Sequence, residues 1–317
     1  MNVGDRWKRP FKVAAGLASS ILSKLAPARR VFLLITMVFA FAAVAGLPFL
    51  FFTQEVEFLL AFGGLFILPV MVLGDAITMK RDIEIAREIQ RRLVPRTAPE
   101  MPGVDLAFAT RPAKMVAGDY FDAFRRSKDG PLLLVVADVS GKSVPAAMLM
   151  ANFQAALRAL AGSCSSLTEL LTGLNHLACS NNLNGRRFTT AFLAELDGAT
   201  GELRYVSAGQ NPPILKRSDG RMERLSSESI PLGVELSEHY ECGKTNLSPA
   251  DVLFLFTEGL TEARNKDGEE FRDPRLVAGM QNESAAATHK HILRELDNFV
   301  GQAPQHDDIT CLVVRRV

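Results

Sequence analysis

The hydrophobic pattern divides the chain in two. Val31 to Phe52 is 22 residues without a charge and Phe58 to Gly74 another 17, each close to the ~20 needed to cross a bilayer as a helix. Only TQEVE joins them, which predicts a helical hairpin. Arg29 and Arg30 precede the first run and Lys80 and Arg81 follow the second, so both ends are expected in the cytoplasm and the turn outside. Apolarity on all sides also suits a pair of buried core helices, the competing reading. A cleaved signal peptide does not fit, because about 30 mostly polar or basic residues precede the first run. Arg6, Lys8, Arg9, Lys12 and Lys24 lie among apolar positions, as in a helix resting on anionic lipid or in a basic tail without fixed structure.

After the second run, AITMKRDIEIAREIQRRLVPRTAP is rich in helix formers until Pro95, with Ile83, Ala86, Ile89 and Leu93 on one face. That stripe suits two roles: a short parallel coiled coil making a homodimer, or packing against the chain's own next domain. Pro95, Pro99 and Pro102 mark a boundary. Four segments result: a basic stretch over 1–30, the transmembrane hairpin over 31–74, a linker helix with its proline-rich boundary over 75–103, and a domain over 104–317.

In that last domain Leu132 to Val139, Thr189 to Leu196, Leu203 to Ser207, Val252 to Thr257 and Ile309 to Val314 read as strands. LDGATGEL between the second and third is a hairpin turn signal. Ala146 to Ala161 and Leu167 to Leu183 read as consecutive helices. Strands, a helix pair and then mostly antiparallel strands predict an α+β domain.

Composition narrows the function classes. Lys and Arg total 36 against 35 Asp and Glu, so no strong field draws in nucleic acid, and none is expected as a partner. Cys164, Cys179, Cys242 and Cys311 lack CxxC spacing, which argues against a zinc ribbon or a disulfide framework and suits a reducing cytosol. His289 and His291 form an HxH on an expected surface helix; His176 and His239 stand alone, and His306 borders an acidic pair.

The chemistry concentrates where strands end in acids. Asp138 and Glu258 follow apolar strands, Asp307 and Asp308 precede one, and Asp119 sits in AGDYFD just before the first. Taken singly, each acid fits a turn or helix cap. If the strands are neighbours, however, these acids converge on one rim, and so much negative charge needs a cation. Only Lys142 and Arg264 lie nearby in sequence. An all-oxygen donor set then points to Mg²⁺ or Mn²⁺, and a pair of ions is a common hydrolytic arrangement.

Six stretches carry a family resemblance: EIAREIQRRLVP, AKMVAGDYFDAF, VVADVSGKSVPAAMLM, RFTTAFLAELDGATGELRYVSAGQNPPIL, LFLFTEGLTEARN and HDDITCLVV. In this order they resemble the bacterial SpoIIE/RsbU-type branch of the metal-dependent (PPM) serine/threonine protein phosphatases, over roughly residues 83 to 317. The resemblance implies an α-β-β-α sandwich with a dinuclear Mn²⁺ or Mg²⁺ site at one end of two packed antiparallel sheets. It implies that Asp138 bridges the ions, that the Val139 carbonyl binds one, that Asp119 acts directly or through water, and that Asp307 holds the other ion beside Asp308. Glu258 stands where the family usually has Asp before Gly; it keeps the charge but adds a methylene. Ser143 replaces the second Gly of GKG, and Gln210 replaces the His of AGHNPP, a change expected to touch packing more than chemistry.

The resemblance further implies hydrolysis of phosphoserine or phosphothreonine by a metal-activated water, with Asp119 and Asp138 as the catalytic pair. The expected substrate is a phosphorylated cytoplasmic regulatory protein such as an anti-sigma-factor antagonist. With the hairpin, the enzyme is expected in the bacterial inner membrane, its two spans in the lipid bilayer and its catalytic domain in the cytoplasm. No HCxxxxxR motif offers a thiol nucleophile. The alternative is a catalytically impaired PPM-like binding module in which Glu258 has cost a metal. A channel fragment fits less well, because the spans carry no internal ionisable group.

Overall fold

The computed structural model describes residues 27–45, 53–128, 130–181, 187–226, 229–280 and 283–317. Most of the basic stretch and the end of the first apolar run therefore lie outside the described residues. The chain forms two compact units, Met1–Asp82 and Ile83–Val317.

In the first unit, α1 (Pro27–Ala45) runs beside the start of α2 (Gln54–Leu93). The expected second span and linker helix are one continuous helix, Gln54 to Leu93, which runs on through Gly63, Gly64, Pro69 and Gly74. Small residues let the two backbones approach: a Cβ on Gly64 would stand 2.4 Å from Thr36 Oγ1, and Ala42, Ala43 and Ala61 are buried. Arg29 pairs with Asp75. The large side chains point outward instead, Phe41, Phe62 and Phe66 each about 70% exposed.

Among its described residues the second unit holds ten strands. One sheet has the order β1 (Val104–Arg111), β10 (Ile309–Arg316), β9 (Val252–Phe256), β6 (Ile214–Lys216), β7 (Met222–Arg224). The other runs β2 (Asp119–Arg125), β3 (Leu132–Val139), β4 (Thr189–Leu196), β5 (Glu202–Ala208), β8 (Gly243–Asn246), and every strand pair in both sheets is antiparallel. Helices α3 (Val144–Ala161) and α4 (Leu167–Ser180) cover the second sheet; α6 (Arg272–Gly279) and α7 (Ala285–Val300) cover the first, after the short α5 (Glu258–Thr261).

This layering explains the unbroken apolar runs. On β3, Leu132, Leu134 and Val136 enter the core between the sheets, whereas Leu133, Val135 and Ala137 enter the core under α3 and α4. A strand buried on both faces has no polar side to alternate. On β9, Leu253 and Leu255 likewise face the opposite sheet, and Phe254 and Phe256 face α6 and α7. The α-β-β-α sandwich expected from the resemblance is present. By length and composition alone α3 is apolar enough to cross a membrane, but Ala146, Met150, Phe153, Leu157 and Ala161 bury one face of it on the sheet.

The expected strand and helix boundaries hold within three residues where described, with Leu183 outside the described residues. Asp119 differs: it is the first residue of β2 rather than the end of a loop. The acids of DYFDAFR hide that strand from a hydrophobic pattern, because Asp122 is fully buried on the side facing α3.

Candidate active site

Antiparallel register brings the first two acids together. Asp119, opening β2, is the direct ladder partner of Asp138, near the end of β3. Asp119 is 4% exposed and Asp138 half-buried. Burial, then the Asp138 and Asp308 charges, push the Asp119 carboxyl well up. Burial, then Asp307, Glu258 and Asp308, push Asp138 up to about 7. Asp307, Glu258 and Asp308 thus act on Asp138 electrostatically, beside its ladder partner Asp119.

The other sheet supplies the facing rim. Thr257, at the end of β9, is fully buried; its hydroxyl donates to Asp119 Oδ2 (2.8 Å) and accepts from Thr310 N (3.0 Å), fixing Asp119 across the two sheets. Glu258 follows at the exposed start of α5, its carboxyl raised first by desolvation and then by Glu262 and Asp307. Asp308 is 3% exposed and accepts from Ala113 N and Gly118 N, each at 2.7 Å, so it fastens the loop that leads into β2. Asp307 pairs with Lys142 Nζ at 2.6 Å, and Lys142 also donates to the His306 carbonyl (2.9 Å). Arg264 pairs with Glu270 instead.

Two glycines are needed for these approaches. A Cβ on Gly259 would stand 2.0 Å from the Asp308 carbonyl, which is why Gly follows the acid at the end of β9. Gly259→Ala is expected to displace the Asp307–Asp308 segment and to lower phosphate release about 100-fold, the cost typical of a misplacement near 1 Å, as measured by initial rates. A Cβ on Gly118 would stand 2.8 Å from the Val139 carbonyl, 3.1 Å from the Gly141 carbonyl and 3.5 Å from Asp138 Oδ1. Three oxygens therefore border the space beside Gly118. This all-oxygen set, with neither imidazole nor thiolate, fits a hard divalent ion. Among the described residues, however, no three His, Cys, Asp or Glu close into a metal-holding group; Asp307 is paired with Lys142, and Asp308 accepts from two loop amides.

Sequence reasoning missed three contributors. Thr257 and Thr310 read as strand residues. Gln90 reads as an ordinary polar position of the linker helix, yet its side chain bonds both backbone groups of Ala117: Oε1 accepts from N (2.9 Å) and Nε2 donates to O (2.7 Å). Ala117 precedes Gly118 and Asp119, so the helix holds the loop that aims Asp119. Gln90→Ala removes two hydrogen bonds worth about 1 kcal/mol each and is expected to lower kcat about tenfold with little change in KM, a split steady-state kinetics reads directly. Of the expected apolar stripe on this helix, Ile83, Ala86 and Leu93 are half-buried and Ile89 is exposed. Gln210 is a buried tie between the sheets, accepting from Thr190 Oγ1 (2.7 Å) and donating to the Phe256 carbonyl (3.1 Å).

Two five-stranded antiparallel sheets flanked by helices, with acids at the strand ends, make the fold of a PP2C-like phosphatase. The chain resembles the SiaA-PP2C domain of Pseudomonas aeruginosa at a TM-score of 0.67, with 21% identity over 77% of this chain and 99% of that one. The model for Stage II sporulation protein E (SpoIIE) matches residues 128–317. The chain belongs to the SpoIIE family, the SpoIIE/RsbU-type branch of the PPM phosphatases, and with it to the protein phosphatase hydrolases. Phosphoserine phosphatase RsbU of Bacillus subtilis is 29% identical over 75% of this chain and 71% of its own length. Protein IcfG of Synechocystis is 27% identical over 74% of this chain, which spans only 41% of IcfG.

Proposed function

We propose that the chain is a membrane-anchored, divalent-ion-dependent phosphatase acting on phosphoserine or phosphothreonine of a cytoplasmic regulatory protein. The observation that carries the reading is the ladder pair Asp119–Asp138 under the charges of Asp307, Asp308 and Glu258. Asp138, the Val139 carbonyl, Asp119, Asp307 and Glu258 would hold two Mn²⁺ or Mg²⁺ ions, with Asp308 behind them. Bound ions would supply an activated water and offset charge developing on the phosphoryl group. The chain's own residues do the positioning: Thr257 holds Asp119, Asp308 fastens the loop carrying Gly118, and Lys142 presents a positive charge at the lip that an anionic phosphoryl group meets. The relative RsbU, a phosphoserine phosphatase by name, supports the substrate chemistry.

Membrane anchoring rests on the hairpin. Within Phe58–Leu93 of α2, an 18-residue stretch has a mean hydropathy of 2.1 and only 11% of it is buried, as lipid contact requires. Ile85 and Ile89, four apart and more than half exposed, leave an apolar edge for a second copy of the linker helix. Carbonate extraction that releases the chain from bacterial membranes would refute the anchor. The activity is tested by titrating purified full chain with MnCl₂ and measuring phosphate released from a phosphoserine protein. A second reading, a binding module without catalysis, is favoured by the Lys142–Asp307 pair and the amides on Asp308. Calorimetry without Mn²⁺ binding, together with zero turnover, would select it.

A further inference from the structure

The linker helix turns two arginines toward the sandwich and leaves two isoleucines outside. Arg87 and Arg91 line a cavity of about 210 Å³ between this helix and the sandwich, with Val94, Met150 and Asp119 among its other walls. One water needs only roughly 10–15 Å³ of the same measure, so the space admits a small molecule. Ile85 and Ile89 lie about 200° round the helix from the arginines and are more than half exposed.

Packing alone does not explain this arrangement. Arg87 and Arg91 stand one turn apart, where like charges repel and weaken a helix. The acid three residues before each does not offset them: Glu88 pairs with Arg92, and among the described residues neither the Glu84 carboxylate nor either guanidinium has an ionic or hydrogen-bonded partner. Arg87 is nonetheless half-buried. A charge drawn out of water without a partner is unfavourable, and a guanidinium offers parallel donors that match the oxygens of a phosphate. Asp119 does not fill that role, being one carboxylate against two cations, with Oδ2 already accepting from Thr257. Gln90, between the arginines in sequence, is likewise committed to both backbone groups of Ala117. The lining is therefore net positive, with guanidinium donors to spare.

We propose that this cavity is an anion site, taking a small phosphate-type oxyanion across Arg87 and Arg91 against the wall that Asp119 forms. Inorganic phosphate is the simplest member of that class and the product of the reaction proposed above; the binding itself does not depend on that reaction. The probe is therefore potassium phosphate, titrated calorimetrically into the full chain in detergent with EDTA, at an ionic strength held constant with potassium chloride. Saturable binding with a Kd of about 1 mM or tighter is expected, the order that two charge-assisted guanidinium contacts supply. Arg87→Gln and Arg91→Gln each weaken it about tenfold, Arg87→Lys weakens it less, and Lys142→Gln at the acidic rim changes it less than about twofold. Arg91 is exposed, so its replacement leaves the fold intact and reports the contact alone. The absence of saturable binding by about 20 mM phosphate overturns the site. So does binding that survives the double Arg87→Gln, Arg91→Gln variant, or binding that Lys142→Gln removes, because the anion then sits elsewhere. None of these results bears on the phosphatase reading, which turnover of p-nitrophenyl phosphate with Mn²⁺ decides separately.

Discussion

Asp138→Asn is expected to lower Mn²⁺-dependent phosphate release at least about 10³-fold, the scale seen when one group essential to transition-state charge is removed. Asp138 is the acid on which the others converge, and Asn keeps its shape while discarding its charge. The same change carries an opposite effect on the chelated protein. Asp138 rises from 3.8 to about 7, so between those values the folded chain binds more protons than the unfolded chain. Stability therefore falls as pH rises from about 4 to about 7, is lowest above 7, and Asp119 acts in the same direction. Melting temperatures in EDTA across that range are expected to fall for the wild type and to fall less for Asp138→Asn. A flat wild-type profile would mean that the acids do not share one rim.

Arg158→Ala is expected to destabilise the second unit by about 3–4 kcal/mol, more than Asp122→Ala at about 2–3 kcal/mol. Asp122 is fully buried on β2 and its oxygens accept from Arg158 Nε and Nη2, each at 2.8 Å, and from Ala123 N at 2.9 Å, with the Tyr120 hydroxyl as a further donor. Removing Arg158 leaves a carboxylate enclosed without its cation. Removing Asp122 leaves a guanidinium that is 43% exposed and still stacked 3.7 Å over the Phe124 ring, so water recovers part of the loss. Urea unfolding of residues 83–317 gives both values, and the reverse order would refute the argument.

Sequence legibility followed burial. Strands sandwiched between two layers, such as β3 and β4, announce themselves as continuous apolar runs and were delimited to the residue. The edge strand β1 is half-buried throughout and β7 mostly exposed, so neither carries a run to read. The acids of the site were legible because each interrupts or borders an apolar strand. Their holders are not: Gln90, Thr257 and Gly118 act through contacts with residues 27, 138 and 190 positions away, and no local pattern encodes such a partner. The Lys142–Asp307 pair was equally invisible, although Lys142 stood out as one of two nearby cations.

The rim draws Asp119 and Asp138 from one sheet and Thr257, Asp307 and Asp308 from the other. A guest seated there cross-braces both halves of the sandwich, and a guest that binds only the folded chain raises its stability by mass action. The lifetime of this protein against cellular proteases would then track the free divalent-ion supply, so a metal-starved cell would lose the enzyme by turnover as well as by idleness.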